Sequence, residues 1–141
     1  MIKYQAKIFK DGNSYSVIFP DLPGCFSMGE TLEEAKLMAK DSLSLYLEEA
    51  KNPKWELPKA KSRKSKTYYW ITPDVSVALP LMLRQARIDS GYTQAKLAKE
   101  LGVTTQQLQK LETPGKSNPT VKTLEKISSV LGADLEIDLA A

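Results

Sequence analysis

The stretch from Thr93 to Glu112 reads TQAKLAKELGVTTQQLQKLE and contains the clearest helix signals in the chain. Thr93 and Thr104 are favourable N-cap residues, and each is followed by apolar residues at helical spacing. Gly102 lies between the two predicted helices, where a left-handed residue is needed for a tight turn. The residues predicted to face a shared core are Leu97, Ala98, Leu101, Leu108 and Leu111.

The helical period continues on both sides of this stretch. A helix capped by Ser76 is predicted to tolerate Pro80 in its first turn and to end at Gly91. Another helix is predicted to begin at Thr120 and to end at Gly132. We therefore expect the second half of the chain to be an all-α bundle of four helices.

The register of Thr93–Glu112 resembles the helix-turn-helix of the Xre and lambdoid-phage repressor family, with a match over about residues 79–132 that includes Leu83-Arg84, Arg87 and Asn118-Pro119-Thr120. This resemblance implies that the helix opened by Thr104 lies in the major groove of DNA. Gln94 and Thr104, at helix starts, are then expected to contact phosphate. The side chains expected to meet base edges are Thr105, Gln106, Gln109 and Lys110.

The charge of this half fits such a role. Residues 77–133 hold eight basic and four acidic groups, and Lys96, Lys116 and Lys122 are expected to add nonspecific attraction to phosphate. The alternative interpretation is that these Gln and Lys side chains only solvate a surface helix.

Alternating apolar residues near the N-terminus indicate β-strands. Strands are predicted around residues 2–8, 15–19 and 26–28, with a turn at Asp11-Gly12-Asn13. Thr31 and Glu34 have the spacing of a capping box, which predicts that a helix with one apolar face follows. The first 50 residues are thus expected to form a β-β-β-α domain.

The elements FPDLPGC (Phe19–Cys25) and GETLEEA (Gly29–Ala35) at this spacing resemble the N-terminal domain of HicB-type antitoxins. The resemblance covers about residues 1–50. It implies a partial ribonuclease H-like domain that binds and inhibits a small HicA-like ribonuclease toxin. The resemblance assigns the toxin-binding role to the domain and to no particular residues, so the toxin-binding residues are unknown.

Charge is distributed unevenly along the chain. Residues 1–50 have a net charge of −3, residues 51–68 of +6, and residues 69–141 of zero. The middle block contains two prolines and mutually repelling Lys and Arg side chains, so residues 51–72 are predicted to be an extended basic linker. We therefore predict an α+β chain with a toxin-binding domain over 1–50 and a DNA-binding and dimerisation domain over 73–141.

The C-terminal segment Asp134–Leu139 alternates acidic and apolar residues, which predicts a strand with Leu135, Ile137 and Leu139 on one face. A lone strand needs a pairing partner. The same strand of a second chain would provide one, so we expect dimerisation or higher homo-oligomerisation through these three residues.

Composition excludes several classes of catalytic site. The chain has no His and one Cys, Cys25, so it lacks His-dependent nucleophilic triads, His-containing zinc sites and internal disulfides. No apolar run approaches the length of about 18 residues that a membrane span needs. The alternating N-terminus does not fit a signal peptide, so the chain is expected to be cytoplasmic, without a membrane partner.

A two-metal nuclease would need converging carboxylates. Those available in the first domain are Asp11, Asp21, Glu30, Glu33, Glu34 and Asp41. Each has an ordinary structural reason for its position, such as a turn or a helix first turn, so we expect no catalytic residue, metal or cofactor.

Together the two resemblances predict an antitoxin that covers the active site of a HicA-like mRNA-cleaving toxin and binds operator DNA to repress its own operon. A stand-alone Xre-type repressor with another protein partner or ligand is the first alternative. A metal-dependent nuclease guided by the DNA-binding half is the second and ranks below it.

Overall fold

The computed structural model describes residues 1–50, 52 and 55–139. The chain divides into two compact units, Met1–Ala78 (unit 1) and Leu79–Ala141 (unit 2). The predicted α+β class is confirmed, because unit 1 contains an antiparallel sheet and unit 2 is helical. Within the described ranges, no helix is long and apolar enough to cross a membrane. The elements are β1 (Tyr4–Asp11), β2 (Ser14–Ile18), β3 (Phe26–Gly29), α1 (Leu32–Glu48), β4 (Tyr68–Ile71), α2 (Val75–Asp89), α3 (Gln94–Leu101), α4 (Thr105–Leu111) and α5 (Val121–Leu131).

Unit 1 is built on a four-stranded antiparallel sheet in the order β3-β2-β1-β4. The β1–β2 hairpin turns at Gly12, whose φ of +64° is a conformation that glycine adopts without strain. Strand alternation gives the sheet an inner face, which packs against α1, and an outer face. Buried residues of the inner face are Tyr4, Ala6, Ile8, Val17 and Ile71.

Helix α1 begins at the predicted cap. The Thr31 hydroxyl accepts the backbone N–H of Glu34 at 3.1 Å, and the Glu34 carboxylate accepts the backbone N–H of Glu30 at 3.0 Å. The second bond thus lies one residue earlier than in a standard capping box. A Cβ added at Gly29 would lie 2.5 Å from the backbone nitrogen of Ala35, so glycine lets the helix start approach β3 closely. The buried residues of α1 are Ala35, Ala39, Leu43, Ser44 and Leu47.

The prediction of a basic linker over residues 51–72 is wrong for its C-terminal part. Strand β4, Tyr68–Ile71, pairs antiparallel with β1, with Tyr4 opposite Ile71. Unit 1 therefore has four strands and extends to Ala78, beyond the boundary expected at residue 50. The aromatic and β-branched residues of β4 suit a strand, and only the long-range pairing with β1 makes them one.

The segment that leads into β4 also makes specific contacts, despite its charge. The Tyr4 hydroxyl donates to the Pro58 carbonyl at 2.7 Å, and burial raises the pKa of Tyr4 to about 12. The Gln5 side chain accepts the Arg63 backbone N–H at 2.6 Å and donates to the Arg63 carbonyl at 3.2 Å. A hydrogen-bonded ion pair with Arg63 lowers the pKa of Asp21. Because most of these bonds use backbone groups, a Lys-rich sequence can make them.

The helices of unit 2 begin and end largely where the sequence predicts. Thr93, Thr104 and Thr120 are the N-caps of α3, α4 and α5, and each hydroxyl accepts a backbone N–H of its helix. Gly102 and Gly132 end α3 and α5 in the left-handed conformation. These signals are local, so the sequence alone is enough to read them.

Helix α2 differs from its prediction. It begins at Val75, one residue before Ser76, and Pro80 lies inside the helix rather than in its first turn. Pro80 has no backbone N–H to donate to the carbonyl four residues earlier, so the helix continues past one missing hydrogen bond.

The predicted C-terminal strand does not form in the single chain. Residues 133–139 have no regular secondary structure, and the side chains of Leu135, Ile137 and Leu139 are exposed. A β-strand forms only when its backbone groups make hydrogen bonds to a neighbouring strand. Within the described residues, no other segment of the chain pairs with residues 133–139.

Candidate nucleic-acid interface

Helices α3 and α4 are held together by a small apolar core. Leu97 and Leu101 of α3 and Leu108 of α4 pack with Ile127 of α5, and all four are buried. Leu111 is partly buried against the same cluster, so both predicted inward residues of α4 face the core. This packing fixes α4 by one side and leaves its other side exposed.

A capping box defines the start of α4. The Thr104 hydroxyl accepts the backbone N–H of Gln107 at 3.1 Å, and the Gln107 side chain accepts the backbone N–H of Thr104 at 2.8 Å. The amide of Gln107 is therefore used structurally, which agrees with its absence from the predicted base contacts.

The predicted base-contacting residues lie together on α4. Their helical spacing places them on one arc, opposite Leu108 and Leu111. Gln106, Gln109 and Lys110 are exposed and Thr105 is half-buried, while the predicted phosphate contacts are exposed (Thr104) and half-buried (Gln94). The four residues of this arc, called the α4 arc below, are Thr105, Gln106, Gln109 and Lys110.

Two of the predicted residues are bonded to each other. The Gln109 side-chain Nε2 donates to the side-chain Oε1 of Gln94 at 3.3 Å, and the Gln94 Nε2 donates to Oε1 of Glu112 at 3.1 Å. Gln94 is the first residue of α3, so this chain of hydrogen bonds links the start of α3 to the exposed side of α4. The arrangement orients both Gln side chains, which reduces the entropy that a contact with DNA would cost.

Glu112 is the centre of a buried polar cluster that sequence reasoning missed. Arg87 Nε lies 2.7 Å from its Oε2 and Arg87 Nη2 lies 3.0 Å from its Oε1, while Arg87 Nη1 donates to the Tyr92 carbonyl at 2.9 Å. Arg84 Nη2 donates to the Glu112 backbone carbonyl at 3.0 Å, and burial lowers the pKa of Arg84. The cluster connects α2 to the end of α4 and to Gln94. The only sequence signal is that Arg84, Arg87 and the pair Leu111-Glu112 fall in the register of the Xre and lambdoid-phage repressor family.

The basic residues around the arc differ in their surroundings. Lys110, Lys116 and Lys122 are exposed. The Lys96 ammonium lies 4.7 Å from the ring centre of Tyr92, an attractive cation–π distance that leaves the charge at the surface. These exposed cations belong to the same unit as the polar side of α4, and positive charge on such a unit favours contact with phosphate.

The acidic residues considered for a metal site do not gather into one. Among residues 1–50, 52 and 55–139, no group of three or more His, Cys, Asp or Glu side chains could hold a metal ion. Asp21 is paired with Arg63, and Glu33 lies 3.6 Å from Lys36. Cys25 is buried, which raises its thiol pKa.

Family models match both halves of the chain. The model described as HicB_like antitoxin of bacterial toxin-antitoxin system matches residues 4–97, and a helix-turn-helix model matches residues 83–137. The first match extends past β4 and α2 into the start of α3, where it overlaps the second.

Several relatives are designated Antitoxin HicB, and three of them are compared with this chain. Antitoxin HicB 2 of Photorhabdus laumondii subsp. laumondii is 27% identical over 136 residues, which cover 96% of this chain and 95% of the relative. Antitoxin HicB 1 of the same organism is 31% identical over 129 residues, or 89% and 78% of the two chains. Antitoxin HicB of Escherichia coli (strain K12) is 33% identical over 101 residues, or 69% and 70%. The chain belongs to the HicB-like antitoxin family of bacterial toxin–antitoxin systems and ends in a helix-turn-helix domain.

Proposed function

We propose that this chain neutralises a HicA-like, mRNA-cleaving toxin through unit 1 and represses its own toxin–antitoxin operon through unit 2. The observation that carries this proposal is the joining, in one chain, of an antitoxin domain to a helix-turn-helix whose α4 has a polar outer side. Inhibition is steric: unit 1 covers the active site of the toxin and performs no catalytic step.

The α4 arc is the proposed base-reading surface. Gln106 and Gln109 suit adenine, Lys110 suits guanine, and the methyl group of Thr105 suits thymine, each good contact giving about 1–3 kcal/mol of discrimination. Gln94 and Thr104 contact phosphate from the helix starts and fix the register of α4 in the groove.

Operator binding requires a two-fold dimer, because helix-turn-helix operators usually consist of two half-sites related by two-fold symmetry. The C-terminal segment provides the dimer contact. In the dimer, this segment pairs as an antiparallel strand with the same segment of the second chain, and the side chains of Leu135, Ile137 and Leu139 from the two chains cover each other. The exposure of all three residues in the single chain supports this assignment. Both roles place the protein in the cytoplasm, with the operator and the toxin's mRNA substrate.

The test is an affinity purification of the tagged chain at its natural expression level, followed by mass spectrometry of the proteins that accompany it. We expect a small basic ribonuclease whose RNA cleavage stops when this chain is added. If the chain comes down alone and still protects a palindromic DNA site, the antitoxin proposal is wrong and the stand-alone repressor replaces it.

A further inference from the structure

The side of α1 that faces away from the sheet has an unusual composition. Glu34, Asp41 and Glu48 recur every seven residues and so lie on one side of the helix, opposite the buried residues. Apolar side chains alternate with them: Leu37 is 67% exposed, Met38 39% and Leu45 66%. We call these residues the α1 stripe: Glu34, Leu37, Met38, Asp41, Leu45 and Glu48.

Both lysines of α1 lie off this stripe and have partners. Lys36 Nζ is 3.6 Å from the carboxylate of Glu33 and 4.7 Å from the ring centre of Tyr69. Lys40 Nζ is 3.4 Å from the carboxylate of Asp74. The stripe is thus purely acidic and apolar, and its three carboxylates have no cation beside them within α1, all of which the structure describes.

An exposed acidic and apolar surface fits a particular kind of partner. A ribonuclease must attract RNA phosphates, so the surface around its active site is basic. A protein that covers such a surface needs negative charge to match it and apolar side chains to exclude water at the centre of the contact.

We propose that the α1 stripe is the surface on which the basic, RNA-cleaving partner docks. This inference rests on the antitoxin half of the proposed function and names the part of unit 1 that performs it. Leu37 and Leu45 form the apolar centre of the contact, and Glu34, Asp41 and Glu48 take the places of RNA phosphates against the partner's cations.

Unit 1 has a second exposed apolar surface, the outer face of the sheet. Phe26, 70% exposed, and Met28, 61% exposed, lie there beside Ile18. Lys7 of β1 lies opposite Ile18 of β2 on this face. Its ammonium is 5.4 Å from the ring centre of Phe9. Asp11 lies on the same face of β1 and accepts the Ser16 hydroxyl at 3.3 Å, so this face has charges of both signs. The α1 stripe has only acidic ones, so charge favours the stripe for a basic partner.

The experiment uses the full chain and the ribonuclease that accompanies it in the affinity purification. Leu45→Lys is expected to weaken binding by about 30-fold or more, because it places a cation in the apolar centre. The matched control is Met28→Lys, a residue of similar exposure on the other surface, with an expected change of less than about threefold. Thermal unfolding and operator binding of both variants should match the native chain.

A second pair of variants isolates charge. Asp41→Lys and Glu33→Lys change net charge equally, but only Asp41 lies on the stripe. Asp41→Lys is expected to lower affinity by about tenfold, mostly through a slower association rate at low salt, and Glu33→Lys by less than about threefold.

The outcomes separate the two proposals. If the native chain binds and inhibits the ribonuclease while Leu45→Lys and Asp41→Lys bind normally, or if Met28→Lys abolishes binding, the docking surface is wrong and the antitoxin function stands. If the native chain binds no ribonuclease, the proposed function fails and the docking surface fails with it.

Discussion

The Arg63 guanidinium holds the Asp21 carboxylate at two points, Nη2 to Oδ1 at 2.8 Å and Nη1 to Oδ2 at 3.1 Å, although 42 positions separate them. Asp21 is nearly buried and also accepts the backbone N–H of Lys61 at 2.8 Å. The β2–β3 loop is thereby joined to the segment that precedes β4. Since β3 and β4 are the two edge strands, this ion pair connects regions that the sheet itself does not bring into contact.

We expect this pair to make the stability of unit 1 depend on acid. Arg63 lowers the folded pKa of Asp21 below the ordinary value of 3.8, so the pair stabilises the fold above that value and its contribution is lost as pH falls through the folded pKa. Asp21→Asn should therefore lower the melting temperature at pH 7, and the difference from the native chain should shrink as pH falls through the folded pKa of Asp21. Melting curves across this range, with the exposed Glu56→Gln as control, measure the effect. If Asp21→Asn lowers the melting temperature by the same amount at every pH, the pair does not act through the Asp21 charge.

Glu112→Ala is expected to destabilise unit 2 by about 3–5 kcal/mol, because it leaves Arg87 buried without its carboxylate and close to Arg84. Urea unfolding followed by circular dichroism measures this loss. The control is the double variant Arg87→Met/Glu112→Leu, which removes both charges and should lose less than Glu112→Ala alone. Equal losses would mean that volume, not the unpaired charge, determines the cost.

The hydrogen bond from Gln109 to Gln94 predicts that these two residues act on DNA as a unit. Each change to Ala should weaken binding to a selected palindromic operator by about 1–3 kcal/mol, and the double variant should lose less than the sum by about 0.5 kcal/mol or more. Fluorescence anisotropy at fixed salt measures all four affinities. Additive losses would mean that the two side chains contact DNA independently.

Lys122→Ala tests a contact with phosphate, whereas Gln106→Ala tests a contact with a base. Lys122 is exposed at the start of α5, so its loss should weaken binding evenly across DNA sequences and reduce the slope of log affinity against log salt by about one. Gln106→Ala should instead leave this slope unchanged and relax the preference at one base pair. A sequence-dependent effect of Lys122→Ala would assign that lysine to base contact.

What the sequence predicts well here is what depends on near neighbours. Thr93, Gly102 and Thr104 define helix ends through bonds within four residues, so their types and spacing were sufficient. The α4 arc followed from the same period, since the leucines of α4 determine which side faces outward.

What the sequence missed depends on distant partners. Residues 68–71 become a strand only by pairing with β1, and the charges before them gave a stronger local signal for an extended linker. Glu112 became the centre of a buried cluster through Arg87, 25 positions away. Neither relationship leaves a local pattern that a single sequence would reveal.

The C-terminal segment gives the last prediction, because its strand requires a second chain. Leu135 is 38% exposed, Ile137 63% and Leu139 92%, so replacing Ile137 removes little that the single chain buries. Ile137→Lys should convert a native dimer at micromolar concentration into a monomer in analytical ultracentrifugation, with an unchanged melting temperature for the helices of unit 2. Operator affinity should fall with it, because two half-sites are then bound without linkage. Glu136→Gln, on the opposite side of the strand, should leave the dimer intact. A native chain that sediments as a monomer would refute this assignment, since two apolar strand faces would then remain uncovered at a concentration where pairing is expected.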